Sequence, residues 1–282
     1  MQNKSVVKNL LQGIQLRLGK IFHNPYSIVN INPIQKIIYK HLVAGKLRSH
    51  RLFGKEIFFV SPTELLHGLH EIFIEEVYKQ NLPAKPYIID CGANIGLSVI
   101  YMKYFHPDAE ILAFEPDEEN FRLLEKNIQA FGFKDIEPRR EAVWVKKEML
   151  SFAGKGSTES KLVDDGLKGA VIVNAIRLKD QINKKVDFLK IDIEGAEYKV
   201  IADIQEKLHF VQNLFLEYHG DFDQNQELTE LLVIIGKSGF SYYIKEAAPV
   251  YSTPFSKPVK NTYPYDLQLN IFCFRVSKKQ TI

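Results

Sequence analysis

An apolar strand emptying into a glycine turn is the first place where the chain sets out residues for chemistry. The run is Tyr87-Ile88-Ile89-Asp90-Cys91-Gly92-Ala93-Asn94-Ile95-Gly96-Leu97-Ser98, and a helix pattern starts directly after it. Gly92 and Gly96 let backbone approach a ligand where a Cβ would clash. Amides at the helix start suit polar or anionic groups. Asp90 closes the strand. Its carboxylate would repel a pyrophosphate but tolerate a ligand bearing an amino group and a sulfonium. The spacing Gly92-x-Asn94-x-Gly96 also departs from the G-x-G-x-x-G of dinucleotide sites.

Glu115 ends the next apolar run, Leu112-Ala113-Phe114-Glu115-Pro116-Asp117, 25 residues after Asp90. A carboxylate at that place accepts two hydrogen bonds from a ribose diol. Alone it reads equally well as a helix cap. Taken with Asp90, Gly92, Asn94 and Gly96 it completes a cofactor-binding set of the strand–helix–strand type.

A second acidic cluster follows in Val186-Asp187-Phe188-Leu189-Lys190-Ile191-Asp192-Ile193-Glu194-Gly195-Ala196-Glu197. Phe188, Lys190 and Asp192 share one strand face, so Lys190 meets Asp192, the partner a buried lysine needs. Asp192 and Glu194 then lie at the strand's carboxyl edge, Asp192 facing both cofactor and acceptor. The plainer reading is an ion pair plus an acid at a helix start. Leu214-Phe215-Leu216-Glu217-Tyr218-His219-Gly220 brings Glu217 and His219 to the same edge. His219 is the first candidate for a general base, Asp192 the second, with Glu194 orienting a substrate hydroxyl or the donor's amino group. No His/Cys cluster demands zinc, and no metal is expected.

These residues need elements to hold them. Apolar runs at 87–90, 111–114, 142–145, 186–191, 214–217, 240–244 and 267–276 predict strands. Helical spacing falls at 97–105, 118–131, 196–204 and 226–238. Such alternation gives an α/β fold, a parallel sheet with helices on both faces. Between 142 and 186 the rhythm breaks, and 149–153 with 171–175 reads as a hairpin insertion. Upstream, 55–60 predicts a short strand, and Ser61 or Thr63 caps a helix through Tyr78. The domain boundary is placed at 82/83: a basic accessory segment, then the catalytic domain.

The 282 residues hold no apolar stretch of the roughly 18 needed to span a membrane. No secretory signal is recognisable at the start. Cys91 and Cys273 are unsuited to a disulfide, which fits a reducing cytoplasm. The net charge of +3 hides an asymmetry. Residues 1–55 contain ten Lys and Arg and no acid, while the remaining 27 Lys and Arg face 34 Asp and Glu, a net −7. Val6, Val7, Leu10, Leu11, Ile14, Leu18 and Ile21 follow helical spacing. That stripe is expected to pack on the chain's own body or on a second subunit of a homo-oligomer. Peripheral contact of residues 1–25 with an anionic membrane is the alternative. The acidic body, with no RNA-binding module, argues against a nucleic-acid partner.

Three stretches as they stand here resemble the FkbM-like family of methyltransferases: Ile89 to Gly96, Phe114-Glu115-Pro116-Asp117, and Asp187 to Glu197. Glu217-Tyr218-His219 and Leu267-Gln268-Leu269-Asn270-Ile271 look like the same family, and the likeness covers about 84–276. It implies a doubly wound, mostly parallel seven-stranded sheet of class I, Rossmann-like methyltransferase type, with the last strand antiparallel. It also implies S-adenosylmethionine as cofactor and a hydroxyl of a sugar or other small molecule as acceptor. The competing readings are an NAD-dependent oxidoreductase, disfavoured by the glycine spacing and Asp90, and a cofactor-binding scaffold without activity.

Overall fold

A computed structural model describes residues 24–153, 161–162, 171–251, 253–255 and 265–276. The apolar stripe expected over 6–21 lies outside them. The chain divides into two compact units, Met1–Val77 and Tyr78–Ile282.

In the first unit, α1 (Pro33–His41) opens on a capping box between Asn32 and Gln35. β1 (Arg48–Leu52) and β2 (Lys55–Phe59) pair as a hairpin. Phe53 and Gly54 both take positive φ at its turn, 49° and 78°, as a two-residue hairpin of this hand requires. α2 (Pro62–Leu69) runs into a π-turn ending at Ile74, short of the expected Tyr78. Leu52, Ile57, Phe59, Leu65 and Leu69 are buried.

The second unit carries β3 (Tyr87–Cys91), α3 (Leu97–Phe105), β4 (Glu110–Phe114), α4 (Glu118–Phe131) and β5 (Ile136–Arg139). After an insertion come β10 (Val186–Ile191), α5 (Glu197–Ile204), β11 (Val211–Gly220), α6 (Asn225–Lys237), β12 (Ser241–Glu246) and β13 (Leu267–Phe274). The insertion strands are β6 (Ala142–Trp144), β7 (Glu148–Ala153), β8 (Lys161–Leu162) and β9 (Val171–Arg177). The central sheet runs β12-β13-β11-β10-β3-β4-β5. β13 is antiparallel to both neighbours and the other pairings are parallel, the seven-stranded, doubly wound α/β arrangement that was expected.

Two strands depart from the expectation. Ile136–Arg139 forms one edge of the central sheet, where Pro138 is tolerated because an edge strand can lack a donor. Ala142–Trp144 instead pairs in parallel with Val171–Arg177 in the insertion's own sheet, where Glu148–Ala153 adds antiparallel. The hairpin expected in the insertion is therefore present.

Central strands β3, β10 and β11 are buried almost throughout, as strands covered on both faces must be. Ile89, Leu189, Leu214 and Ile271 belong to the core they line. α4 starts on Asp117, whose side chain accepts the Asn120 amide, and stops at Gly132 in the left-handed region. Strand order reverses between β3 and β10, so the sheet's topological switch point opens there at the carboxyl ends. Among the described residues no helix is long and apolar enough to cross a membrane.

Candidate active site

The β3 end and the β10 end meet at the switch point, and one lysine ties them. Lys190 pairs with Asp90 across the two strands. Its Nζ lies 3.2 Å from Asp90 Oδ1 and 3.3 Å from Asp192 Oδ2, and donates to the Gly92 carbonyl at 2.7 Å. Burial alone would depress this ammonium, but Asp90 and Asp192 outweigh it and hold it well above the ordinary lysine value. Ser98, in the first turn of α3, donates to Asp90 Oδ2 at 2.5 Å. Among the described residues Asp90 Oδ1 accepts no hydrogen bond and meets the lysine as an ion pair.

The protein itself leaves no room for a side chain at either glycine. A Cβ on Gly92 would stand 1.9 Å from the Asp192 carbonyl oxygen, and one on Gly96 would stand 2.8 Å from Leu124 Cδ1. Both residues also sit at positive φ, 87° and 92°. A side chain there would clash with β10's exit and with α4, apart from any clash with a ligand.

The turn amides are also spent internally. Gly92 and Ala93 both donate to the Phe114 carbonyl, at 3.0 and 2.9 Å, and Gly96 donates to the Ala93 carbonyl at 2.8 Å. Asn94 donates to Glu115 Oε2 at 2.8 Å, and Ile95 donates to Asn94 Oδ1 at 2.6 Å. The amides from 92 to 96 are thus bonded within the protein; the helix start itself, at Leu97, has no side-chain cap. What this edge does present is acceptors.

Glu115 is buried, and its second oxygen accepts the Asp117 amide at 2.9 Å. Burial pushes its carboxyl up to about 8, against the lowering effect of the two amides. With two amides accepted, the neutral carboxyl that burial favours keeps an O–H donor and further acceptor capacity to offer a diol.

The second cluster gathers around His219, near the end of β11. Its Nδ1 lies 3.2 Å from Glu197 Oε1. Glu197, at the start of α5, is fully buried and accepts the amides of Ile193 and Gly195, each at 3.1 Å. An ionised carboxylate only accepts, so this network assigns the proton to Nδ1. Nε2 then faces Glu194 Oε2 and Glu217 Oε1, each 3.6 Å away. Burial would lower the imidazole's pKa, but Glu197, backed by Glu217 and Glu194, holds it well above 6.5. Burial pushes the Glu194 carboxyl up, with His219 opposing.

Glu194 and Gly195 form a left-handed turn, φ 56° and 96°. Tyr265 seals it: its hydroxyl donates to the Glu194 carbonyl at 2.6 Å, and its ring centroid is 4.9 Å from that of His219. Asp192, Glu194 and His219 bring donor atoms within 4.8 Å of one another, so the same three groups could converge on a cation.

A family model described as the methyltransferase FkbM domain matches residues 90–242, more than half of the chain and a span that opens on Asp90 itself. The chain belongs to the FkbM methyltransferase domain family. Every candidate residue named from the sequence lies inside the matched span. Among relatives, methyltransferase sdnD of Sordaria araneosa is 29% identical over 198 residues, covering 56% of this chain and 76% of that protein. The 31-O-demethyl-FK506 methyltransferase FkbM of Streptomyces tacrolimicus is 23% identical over 238 residues, 71% of this chain and 90% of that one. A solved FkbM methyltransferase from Methylobacillus flagellatus is 16% identical with a TM-score of 0.47, covering 68% of this chain and 44% of that structure. The chain thus spans less than half the length of that solved protein.

The structure brings Asp90, Lys190 and Asp192 into one chain of contacts, Asn94 and Glu115 into another, and Glu194 with His219 into a third. Two participants had no role assigned from the sequence. Glu197 reads as an ordinary acid in a first helical turn, and only the fold-back of residues 193–195 shows its contacts. Tyr265 follows Pro264 in a polar stretch with no periodicity to mark it.

Proposed function

We propose that the chain transfers a methyl group from S-adenosylmethionine to a hydroxyl oxygen of a sugar or another small molecule. The observation that carries this reading is the polarity of the switch-point edge. Its turn amides are consumed by protein acceptors, while Asp90, Glu115 and Asp192 stand at three neighbouring strand ends. Such an edge suits an ammonium, a sulfonium and a ribose diol. The facing carboxylates would repel a pyrophosphate, and this counts against an NAD-dependent oxidoreductase. In this reading Glu115 receives the diol through its remaining acceptor sites. Asp90 and Asp192, fixed by Lys190, set the negative field for the cationic part.

When bound, S-adenosylmethionine supplies an electrophilic methyl carbon on a positively charged sulfur. Transfer to an acceptor oxygen would be an in-line displacement with sulfur as the leaving atom, so the residues here would contribute mainly by positioning the acceptor. The acceptor's proton must leave as the new bond forms. His219 Nε2 takes it. Glu197 holds Nδ1–H in place and stabilises the imidazolium that results, and Glu194 and Glu217 border the position where the hydroxyl is held. Asp192 is the second candidate for the base. Oxygen as the acceptor atom is supported by the name of the 31-O-demethyl-FK506 methyltransferase relative, which places methylation on oxygen.

The acceptor is to be found by incubating the full chain with methyl-labelled S-adenosylmethionine and fractionated metabolites and glycans. Label recovered in a base-stable ether is the expected result. Label on nitrogen or carbon would overturn the oxygen assignment. Cofactor binding without transfer to any acceptor would favour a scaffold.

A further inference from the structure

α1 is packed inside out. An amphipathic helix ordinarily buries its aliphatic stripe, yet no residue of α1 is buried. Its inner side is made by Tyr39, whose ring meets His50 and Phe59 at 5.9 and 5.8 Å, and by Lys36, whose Nζ lies 3.8 Å from the Tyr26 ring centre. The isoleucines point the other way. Ile34, Ile37 and Ile38, at i, i+3 and i+4 on one face, are 71%, 60% and 48% exposed. Val43 and Leu47, in the loop that follows, are 80% and 57% exposed. A concentration of exposed aliphatics on this scale marks an interaction site.

Charge and composition say which kind. Lys40 and Lys46 are exposed beside these side chains, and residues 1–55 hold ten Lys and Arg with no acid to offset them. Protein interfaces favour aromatic residues, Met and Arg at their core and are depleted in Lys. This face is aliphatic with a lysine fringe. That is the make-up of a helix lying in the interface of an anionic bilayer, where apolar side chains enter the acyl boundary and lysines meet headgroups.

We propose that the face formed by Ile34, Ile37, Ile38, Val43 and Leu47, fringed by Lys40 and Lys46, seats the chain on an anionic lipid surface. The expectation from sequence placed membrane contact, as an alternative, on residues 1–25. The proposed contact lies downstream, within the described structure, and does not depend on the cofactor or the acceptor.

The test is co-sedimentation of the full chain with vesicles of phosphatidylcholine alone and of phosphatidylcholine with phosphatidylserine. Binding is expected only to the phosphatidylserine vesicles. It should fall as salt rises from about 0.1 to 1 M, because the screening length shrinks from about 10 to about 3 Å. The triple substitution Ile34→Ser, Ile37→Ser, Ile38→Ser should weaken it by about tenfold or more with the melting temperature unchanged, because these side chains are exposed. Lys40→Glu with Lys46→Glu should weaken it without touching an apolar group. Equal binding to neutral vesicles, or none to either kind, would overturn the proposal. So would a lowered melting temperature or a changed molecular mass in the isoleucine variant, since either would mean that residues 1–23 or a second copy of the chain covers this face.

Discussion

Glu197 Oε1 stands 3.2 Å from His219 Nδ1 while accepting the backbone amides of Ile193 and Gly195. The carboxylate that orients the imidazole is thereby the one that shapes the turn carrying Glu194. Neither residue can shift without the other, which is the preorganisation a positioned base needs.

His219→Ala should lower turnover by about 10²–10⁴-fold, the range for a lost general base, with cofactor affinity nearly unchanged. The parent's kcat/KM should rise with pH, with its inflection above 6.5, because Glu197 and its neighbours hold His219 protonated beyond the ordinary histidine value. Glu197→Gln removes the main cause of that rise, so the inflection should move down while the protein stays folded, as a melting curve checks. EDTA should leave turnover unchanged, since Nε2 is proposed to receive the acceptor's proton rather than to bind a metal. Chelator-sensitive activity restored by a divalent cation would turn Asp192, Glu194 and His219 into metal ligands instead.

Glu115 gives a stability signature. Its folded-state pKa, about 8, lies above the unfolded value of 4.5. Between these pH values the folded chain holds a proton that the unfolded chain has released. Stability therefore falls as pH rises through that window, and the full contribution is present only below about 4.5. Glu115→Gln, which cannot titrate, should show a flatter dependence of melting temperature on pH from 4.5 to 8. An unchanged slope would mean that other groups set it.

Gly92→Ala should destabilise the fold itself, on the order of 3 kcal/mol from overpacking and left-handed strain together. The added carbon meets the Asp192 backbone, which has no rotamer to yield. A variant that melts like the parent but no longer binds cofactor would restore the simpler view of Gly92 as ligand space.

Lys190→Met leaves the buried Asp90 without its counter-charge and should cost about 3–5 kcal/mol. Adding Asp90→Asn should recover part of that loss in a double-mutant cycle. Strict additivity would show that the two side chains act independently, despite their 3.2 Å separation.

Helix α4 is legible to the residue, because apolar periodicity coincides there with the Asp117 cap and Gly132; α3, buried at every position from Leu97 to Lys103, is marked instead by the glycine turn before it. β5 was not, because Ile136-Glu137-Pro138-Arg139 lacks alternation and contains a proline that only an edge strand accommodates. Ala142–Trp144 reads as extended from its own residues, but local pattern does not say which sheet a strand joins. At the site, residue types and strand ends brought out Asp90, Glu115, Asp192, Glu194 and His219. The close approach of Gly92 to Asp192 and of Gly96 to Leu124 is hidden, since each joins residues far apart in the chain. The His219–Glu197 link joins residues 22 apart through a turn whose left-handed φ at Glu194 no propensity forecasts.

The most direct measurement is titration calorimetry of the full chain with S-adenosylmethionine and, separately, with NAD. Expected is saturable binding of S-adenosylmethionine and none of NAD, with Glu115→Ala weakening the former by about 1–3 kcal/mol, the scale of two hydrogen bonds to a neutral carboxyl. Binding of NAD in its place, or an S-adenosylmethionine affinity unmoved by the loss of Glu115, would contradict the assignment of this strand edge to a sulfonium cofactor.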